Sequence, residues 1–238
     1  PDVKRMLLTM KSQIEAGRAL AYSAGHAADR GDKPRVDLLT PVIKSHLTDL
    51  ANELTSINVQ IHGGMGFIEE TGAAQHMRDA RVLAIYEGTN GIQANDLLFR
   101  KVLRDKGFEA TRFMDEIAAD TARLAATGGE VPGLVAPQMD AALHDLRAAT
   151  AHMLQETDAL RHAGGAAPYL QLFALVACGA MHVRILLASS ALPSTAKTGK
   201  ELSARFYVRH ILPRTAALLH AVRHTKTIML ADAETLQA

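Results

Sequence analysis

Tryptophan is absent, cysteine occurs once, and aromatic residues make up 4 % of the 238-residue chain. With so few aromatics and 48 % apolar residues, the core must come from Leu, Ala, Ile, Val and Met packed at helical spacing. That composition points to an all-α fold. The lone thiol, Cys178, excludes an intrachain disulfide framework and matches a reducing compartment; in its apolar run it reads as a small core residue. An excess of one charge is also missing, since 26 Lys and Arg face 25 Asp and Glu. No long basic run provides a footprint for nucleic acid. No signal peptide opens the chain, which starts at Pro1 and so reads as a piece of a longer protein. The longest uncharged run, Ala163 to Met181, is interrupted early by Gly164, Gly165, Pro168 and Gln171. His182 and Arg184 then follow too soon for a membrane span, so it reads as a buried central helix with no transmembrane segment.

What is present is helical periodicity. A chain of this length allows two modest domains. Val3, Leu7, Met10, Ile14, Gly17, Ala21, Ala24 and Ala28 alternate four and three apart, as one helix stripe does. Gly31 and Pro34 stop it. Ile43, Leu47, Leu50, Leu54, Ile57 and Ile61 mark a second helix, antiparallel to the first across a short connection. It ends by Gly63. Helix resumes near Thr71, stops around Tyr86, and restarts at Thr89 or Asn90 with cations gathered toward its C-terminal end. From Gly107 the composition changes. Phe113, Ile117 and Leu124 predict one helix; Met139, Leu143, Leu146, Thr150, Met153, Thr157 and Leu160 predict another. A third runs from about Ala167 to Leu192. "PSTAKTGK" reads as a loop, and a last helix from about Lys200 to Ala231 contains Pro213, which should kink it. Residues 1–106 and 107–238 therefore read as two helical units, the second an up-and-down four-helix bundle.

Chemistry concentrates in two stretches. In "IYEGTNGIQ" a single carboxylate, Glu87, sits between two helices, where it can project into a cleft, and Gly88 beside it permits close approach of a ligand. The plain alternative is a helix-end acid before a glycine break. In "QIHGGMG" adjacent glycines expose backbone N–H groups that can cradle an anion, or simply make a helix-to-helix turn. The stretch fits neither a Rossmann fingerprint nor a P-loop. His220 and His224 stand one helical turn apart but lack the acidic partner of a catalytic zinc pair, so a structural or surface role is expected, with no metal. The same reading applies to His26, His46, His144, His152, His162 and His210.

In order and together, "QIHGGMGFIEE" and "MRDARVLAIYEGTNGIQ" with their flanking helices resemble the C-terminal helical domain of acyl-CoA dehydrogenases over roughly residues 1 to 106. Residues 107 to 238 resemble the additional C-terminal helical domain of the larger bacterial members, which act on long-chain, aryl or methylmercaptopropionyl thioesters. The resemblance implies that Glu87 is the base removing the pro-R α-proton of an acyl-CoA while the β-hydrogen leaves as hydride to N5 of FAD, giving a trans-2-enoyl-CoA. It implies that substrate lies against Gly88 and that the Glu87 backbone N–H helps hold the thioester carbonyl. Gln60, Ile61, His62, Gly63 and Gly64 would contact the adenine and pyrophosphate side of FAD in a neighbouring subunit. Thr89, Asn90 and Gly91 would touch the flavin cofactor of their own subunit, although Gly91 stands where many relatives carry Gln. Arg78 and Asp79 read as a structural ion pair or helix-end bonds.

The implied partners are an acyl-CoA, an electron-transfer flavoprotein and further copies of the chain in a homodimer or homotetramer; the implied setting is the bacterial cytoplasm. The family's N-terminal helical domain, middle β-domain and Arg-containing segment ahead of this region are absent from the 238 residues. The expectation is that this chain alone binds FAD poorly and turns over no substrate. Two other readings stand beside this one. One is a non-catalytic helical oligomerisation module with Glu87 idle; the other is an acyl-CoA oxidase that passes electrons to oxygen.

Overall fold

Local chemistry sets the helix boundaries in the computed structural model, which describes residues 1–232 and 234. Helix α1, Asp2–Asp29, gives way at Gly31 to Asp32, whose carboxylate accepts the Arg35 N–H at 3.3 Å and caps α2, Lys33–Ile61. Pro34 occupies the first turn of α2, where its missing donor costs nothing. A single turn, α3, Gly64–Phe67, precedes α4, Ala73–Leu83. Helix α5, Asn90–Asn95, continues as π-helical turns over Asp96–Leu103. After Gly107 come α6, Phe108–Ala126, α7, Glu130–Gln155, α8, Ala159–Ala188, and α9, Ser194–Phe206. Helices α10, Arg214–Arg223, and α11, Lys226–Met229, close the described chain, which contains no strand.

The all-α expectation holds, and α8 is its centre. Its side chains are apolar on every side and almost continuously buried from Tyr169 to Val183. By length and composition it could cross a membrane, but most of it lies inside the protein. It packs on α1, α2 and α5 as well as on α6, α7, α9 and α10. One apolar cluster therefore joins the helices on both sides of Gly107, including Leu38, Val42 and Leu97 from one side and Phe113, Leu146 and Phe173 from the other. Phe113 stacks on Phe173 with ring centres 5.9 Å apart. The hydroxyls this core must bury are paired: Tyr169 with Thr150 Oγ1 at 2.9 Å, and Tyr207 with the Leu175 carbonyl at 2.9 Å. Cys178 is buried in α8, and burial pushes its thiol up to about 12, so it stays an inert core residue.

A buried ionic clasp adds direction to this packing. Arg35 of α2 donates to Glu109 at 2.8 Å and, through both terminal nitrogens, to Glu116 of α6 at 2.7 and 2.8 Å. Its guanidinium lies 4.6 Å from the centre of the Phe113 ring. Burial opposes the Arg35 charge, yet Glu116 and Glu109 outweigh it and hold the guanidinium above its usual range. Arg112 bridges Glu109 back to Asp32, the cap of α2.

The structure departs from the periodicity in several places. Helix α1 is present, but Val3, Leu7 and Ile14 of the predicted stripe are exposed, Leu7 by 50 %, while Met6, Ser12, Gln13, Ala16 and Leu20 are buried. The buried face contains small and polar residues because α8 packs against it, and Ser12 supplies a carbonyl that meets His182 Nε2 at 3.1 Å. Helix α7 stops at Gln155, since Glu156 Oε1 accepts the N–H groups of Thr157 and Asp158; Leu160 falls on α8, exposed. Helix α8 starts at Ala159, capped by Asp158, eight residues ahead of the predicted Ala167. Gly165 inside it lets the Met153 methyl pack close against the helix, where a Cβ would push that side chain away. The predicted loop "PSTAKTGK" lies mostly in α9, which begins after Pro193 and is tied to α1 by Lys200 to Glu15 at 2.9 Å. The predicted last helix is interrupted at Leu212 and Pro213, resumes at once as α10, and stops at Arg223, short of the predicted Ala231. A π turn over Tyr207–Ile211 precedes the break.

Two stability outcomes follow. Replacing Arg35 with Leu should cost about 3 kcal/mol in urea unfolding, the lower end for a broken buried pair, because Arg112 still reaches Glu109. His182 is fully buried, and burial pushes its imidazole from 6.5 down to about 4. On acidification the unfolded chain then takes up this proton first, so its share of stability is complete above 6.5 and is lost as pH falls toward 4. Between pH 7 and pH 5 that share is about 2 kcal/mol, and the pH slope of the His182→Phe variant should be shallower by this amount.

Candidate active site

The segment between α4 and α5 is short and tightly tied. The N–H groups of Ile85 and Tyr86 both reach the Val82 carbonyl, at 2.9 and 3.2 Å, and the Asn90 N–H returns to Ala84 at 3.2 Å. Thr89 caps α5 by accepting the Ile92 N–H at 3.4 Å. This closure forces Glu87 to φ +54°, the left-handed region that residues with a Cβ rarely enter, and Gly88 to φ +85°. Strained backbone of this kind persists only where the surroundings hold it.

Helix α2 does the holding. Lys44 Nζ donates to the Gly88 carbonyl at 2.8 Å and to Asn90 Oδ1 at 2.9 Å. Asn90 Nδ2 donates to Asp49 Oδ1 at 2.6 Å and to the Ser45 carbonyl at 3.2 Å, and Thr48 Oγ1 lies 3.0 Å away. Gln93 Nε2 reaches the Glu87 carbonyl at 3.3 Å. The Asn90 amide is thus turned inward onto α2, and the side-chain contact expected of it with a cofactor is not available in this arrangement. Thr89 spends its hydroxyl on the cap, and Gly91 is exposed.

The Glu87 side chain is exposed. The dry enclosure that a carboxylate base requires is not formed around it by the described residues. Close to it in sequence are uncovered apolar side chains: Val82, Ile85, Tyr86 and Ile92 are all exposed.

The glycine-rich motif lies at the far end of α2. His62 caps the helix and its Nδ1 sits 2.8 Å from the Asn58 carbonyl; Gln60 is exposed and Ile61 half-buried. Gly63 and Gly64 have open space where a Cβ would point, so their backbone can be approached closely. Gly66 packs the turn instead, for a Cβ there would strike the Val59 carbonyl. Between Lys44 and Ile61 the helix rises roughly 25 Å. The two motifs therefore cannot line one small pocket within a single chain. Between them lie two hollows of about 520 and 560 Å³ that share Met77 and Arg78 and extend along α2 and α4 from Phe67 to Ala84. Phe67, 81 % exposed, stands at the glycine-rich end.

Arg78 pairs with Glu69 at 3.4 Å, so the predicted ion-pair role falls to this partner; Asp79 is exposed. His220 and His224 stack with centres 3.9 Å apart, and among the described residues no cluster could hold a metal. Lys44, Thr48 and Asp49 were not singled out by the sequence. A signal existed: Lys44, Ser45, Thr48, Asp49 and Asn52 recur at helical spacing opposite the apolar stripe of α2.

Comparison with known proteins places these features in a class. Residues 1–101 match "Acyl-CoA dehydrogenase, C-terminal domain" and residues 113–232 match "Acetyl-CoA dehydrogenase C-terminal like". The chain belongs to the acyl-CoA dehydrogenase family. It is 43 % identical to the 3-methylmercaptopropionyl-CoA dehydrogenase of Ruegeria pomeroyi over 87 % of this chain and 36 % of that protein. It is 32 % identical to a butyryl-CoA dehydrogenase of Syntrophomonas wolfei over 95 % of this chain and 40 % of that protein. In fold it is similar to an acyl-CoA dehydrogenase of Bacillus anthracis solved in complex with FAD, with a TM-score of 0.73 at 16 % identity, covering 98 % of this chain and 43 % of the other. The chain thus spans about two fifths of the proteins it matches.

The loop's geometry predicts a cost for any side chain at Gly88. Gly88→Ala would place a Cβ 3.3 Å from Gln93 Nε2 at a positive φ, and thermal unfolding should show a loss of about 1–2 kcal/mol.

Proposed function

We propose that this chain is the C-terminal part of an FAD-dependent acyl-CoA dehydrogenase that oxidises a CoA thioester to its trans-2-enoyl form, with Glu87 as the base. The observation that carries the reading is the loop itself: a lone carboxylate forced into left-handed backbone and clamped there by α2. Such expenditure of strain on one acid is characteristic of functional sites.

Glu87 would remove the α-proton. An α-proton of a thioester is far too weak an acid for a solvated carboxylate, so the acid must be enclosed when substrate binds, which raises its affinity for the proton. The exposed apolar residues around Glu87, and the outward stripe of Val3, Leu7 and Ile14 on α1, are surfaces ready to be covered by other parts of a longer protein or by another copy. The Glu87 N–H would stabilise charge developing on the thioester oxygen. The residues of this chain fit the edge of a cofactor rather than a container for it: open backbone at Gly63 and Gly64, and the exposed Thr89 and Gly91. FAD, when bound, would supply the acceptor for the β-hydrogen. With the two motifs far apart on α2, Gln60 to Gly64 would serve a neighbouring subunit's cofactor, which makes a homo-oligomer part of the proposal. Electron-transfer flavoprotein as acceptor and a bacterial cytoplasmic setting complete it. The 43 % identical relative makes 3-methylmercaptopropionyl-CoA the first substrate to assay.

The exposure of Glu87 favours a second reading, in which these helices serve assembly alone. The test is Glu87→Gln in the full-length protein. Enoyl-CoA formation should fall by at least about 100-fold with flavin retained, whereas undiminished turnover would overturn the role of Glu87 and favour the second reading. The 238-residue chain alone should show no flavin absorbance after purification. Peroxide produced in proportion to product would identify an oxidase instead.

A further inference from the structure

The clamp on the Glu87 loop is asymmetric, and its charged member lies on a different helix. Two successive carbonyls, those of Glu87 and Gly88, are each tied down, the first by Gln93 Nε2 at 3.3 Å and the second by Lys44 Nζ at 2.8 Å. Gln93 belongs to α5, which the loop itself leads into, so it moves with the loop. Lys44 belongs to α2, which is buried against α8 and fastened to α6 through Arg35. The ammonium therefore registers the loop to the rigid part of the molecule at the Gly88 carbonyl, beside the bonds that the Asn90 side chain makes to Asp49, Ser45 and Thr48 of the same helix. It also binds Asn90 Oδ1 at 2.9 Å, so one charge spans both ends of the Gly88–Asn90 segment, and Asp49 receives the other end of the Asn90 amide at 2.6 Å.

Gly88 lacks a Cβ and crosses between conformations easily. Left untied, the peptide planes on either side of it could rotate, and Glu87 could relax from φ +54° toward the ordinary helical region. The carboxylate would then be displaced relative to α2 and to anything bound against Gly88. Charge-assisted hydrogen bonds are about twice as strong as neutral ones, which suits a lysine to this task.

We propose that Lys44 is a positioning residue for Glu87: by holding the Gly88 carbonyl and the Asn90 side chain it fixes the left-handed loop that aims the carboxylate. This rests on Glu87 being the base. Its two bonds, to the Gly88 carbonyl and Asn90 Oδ1, make it act through the loop.

The test uses the full-length protein with Lys44→Met, Lys44→Arg and Glu87→Gln, assayed with a CoA thioester that the unaltered enzyme accepts. A misplacement of about 1 Å at a reacting group costs on the order of 100-fold in rate, so kcat of Lys44→Met should fall by that order. KM and flavin content should stay within a few-fold of the unaltered enzyme, because neither contact is removed. Lys44→Arg, which keeps a charged donor, should recover most of kcat. A crystal structure of Lys44→Met should show the Glu87 backbone no longer at a single positive φ. If Glu87→Gln abolishes turnover while Lys44→Met leaves kcat unchanged, or the Lys44→Met loop is unmoved, the positioning role is wrong and the base stands. If Glu87→Gln is fully active, the base reading itself fails. Should Lys44→Met not accumulate as folded protein, Lys44→Gln, which removes the charge but keeps a polar side chain on the same position of α2, is read by the same kcat and KM split.

Discussion

A thirty-residue helix with apolar side chains on every side has to be surrounded, and α8 sets the architecture by that requirement alone. Burying a leucine-sized side chain is worth roughly 2 kcal/mol, and α8 offers many such side chains in succession. No single partner helix can cover it. Helices from both sides of Gly107 are therefore drawn around one core, and α1 and α2 are fixed in place by residues more than a hundred positions further along the chain.

Helix α2 is the intermediary between that core and the chemistry. Its inner face enters the apolar cluster through Leu38, Leu39 and Val42, its first turn carries Arg35 into the ionic clasp, and its polar flank at Lys44, Thr48 and Asp49 grips the Glu87 loop. The buried pair adds orientation more than stability, since desolvating charges costs nearly what their attraction returns. Rigidity in α2 is what makes a strained loop affordable. The left-handed backbone at Glu87 is unfavourable by about 1–2 kcal/mol, and the bonds from Lys44, Asn90 and Gln93 supply a comparable offset.

Much of this was legible from residue types. Helical class, the connection at Gly31 and Pro34, the break near Gly63, the Thr89 cap and the central burial of α8 all follow from local propensity or run length, and the structure shows each. Faces were harder. On α1 the larger apolar residues Val3, Leu7 and Ile14 form the more obvious stripe, yet the face built from Ser12, Gln13, Ala16 and Leu20 is the buried one. Periodicity reports that a helix has two faces; it does not report which neighbour will press against which. The α9 segment was missed for a related reason, because contacts from Lys11 and Lys200 to distant partners stabilise a stretch whose glycine and proline content favours a loop.

For the candidate site the division is the same. Sequence by itself determined that one acid stands between two helices beside a glycine, that two glycine motifs flank the α2–α4 region, and that the family is that of the acyl-CoA dehydrogenases. These are statements about order along the chain, and residue identity suffices for them. Only the tertiary structure decided that Asn90 turns inward, that Lys44 and Asp49 hold it, that Glu87 is forced to positive φ, and that the two motifs are separated by the length of a helix. Those depend on which helix comes to lie beside which, and that choice is made by burial summed over the whole core, a quantity no short stretch of sequence contains.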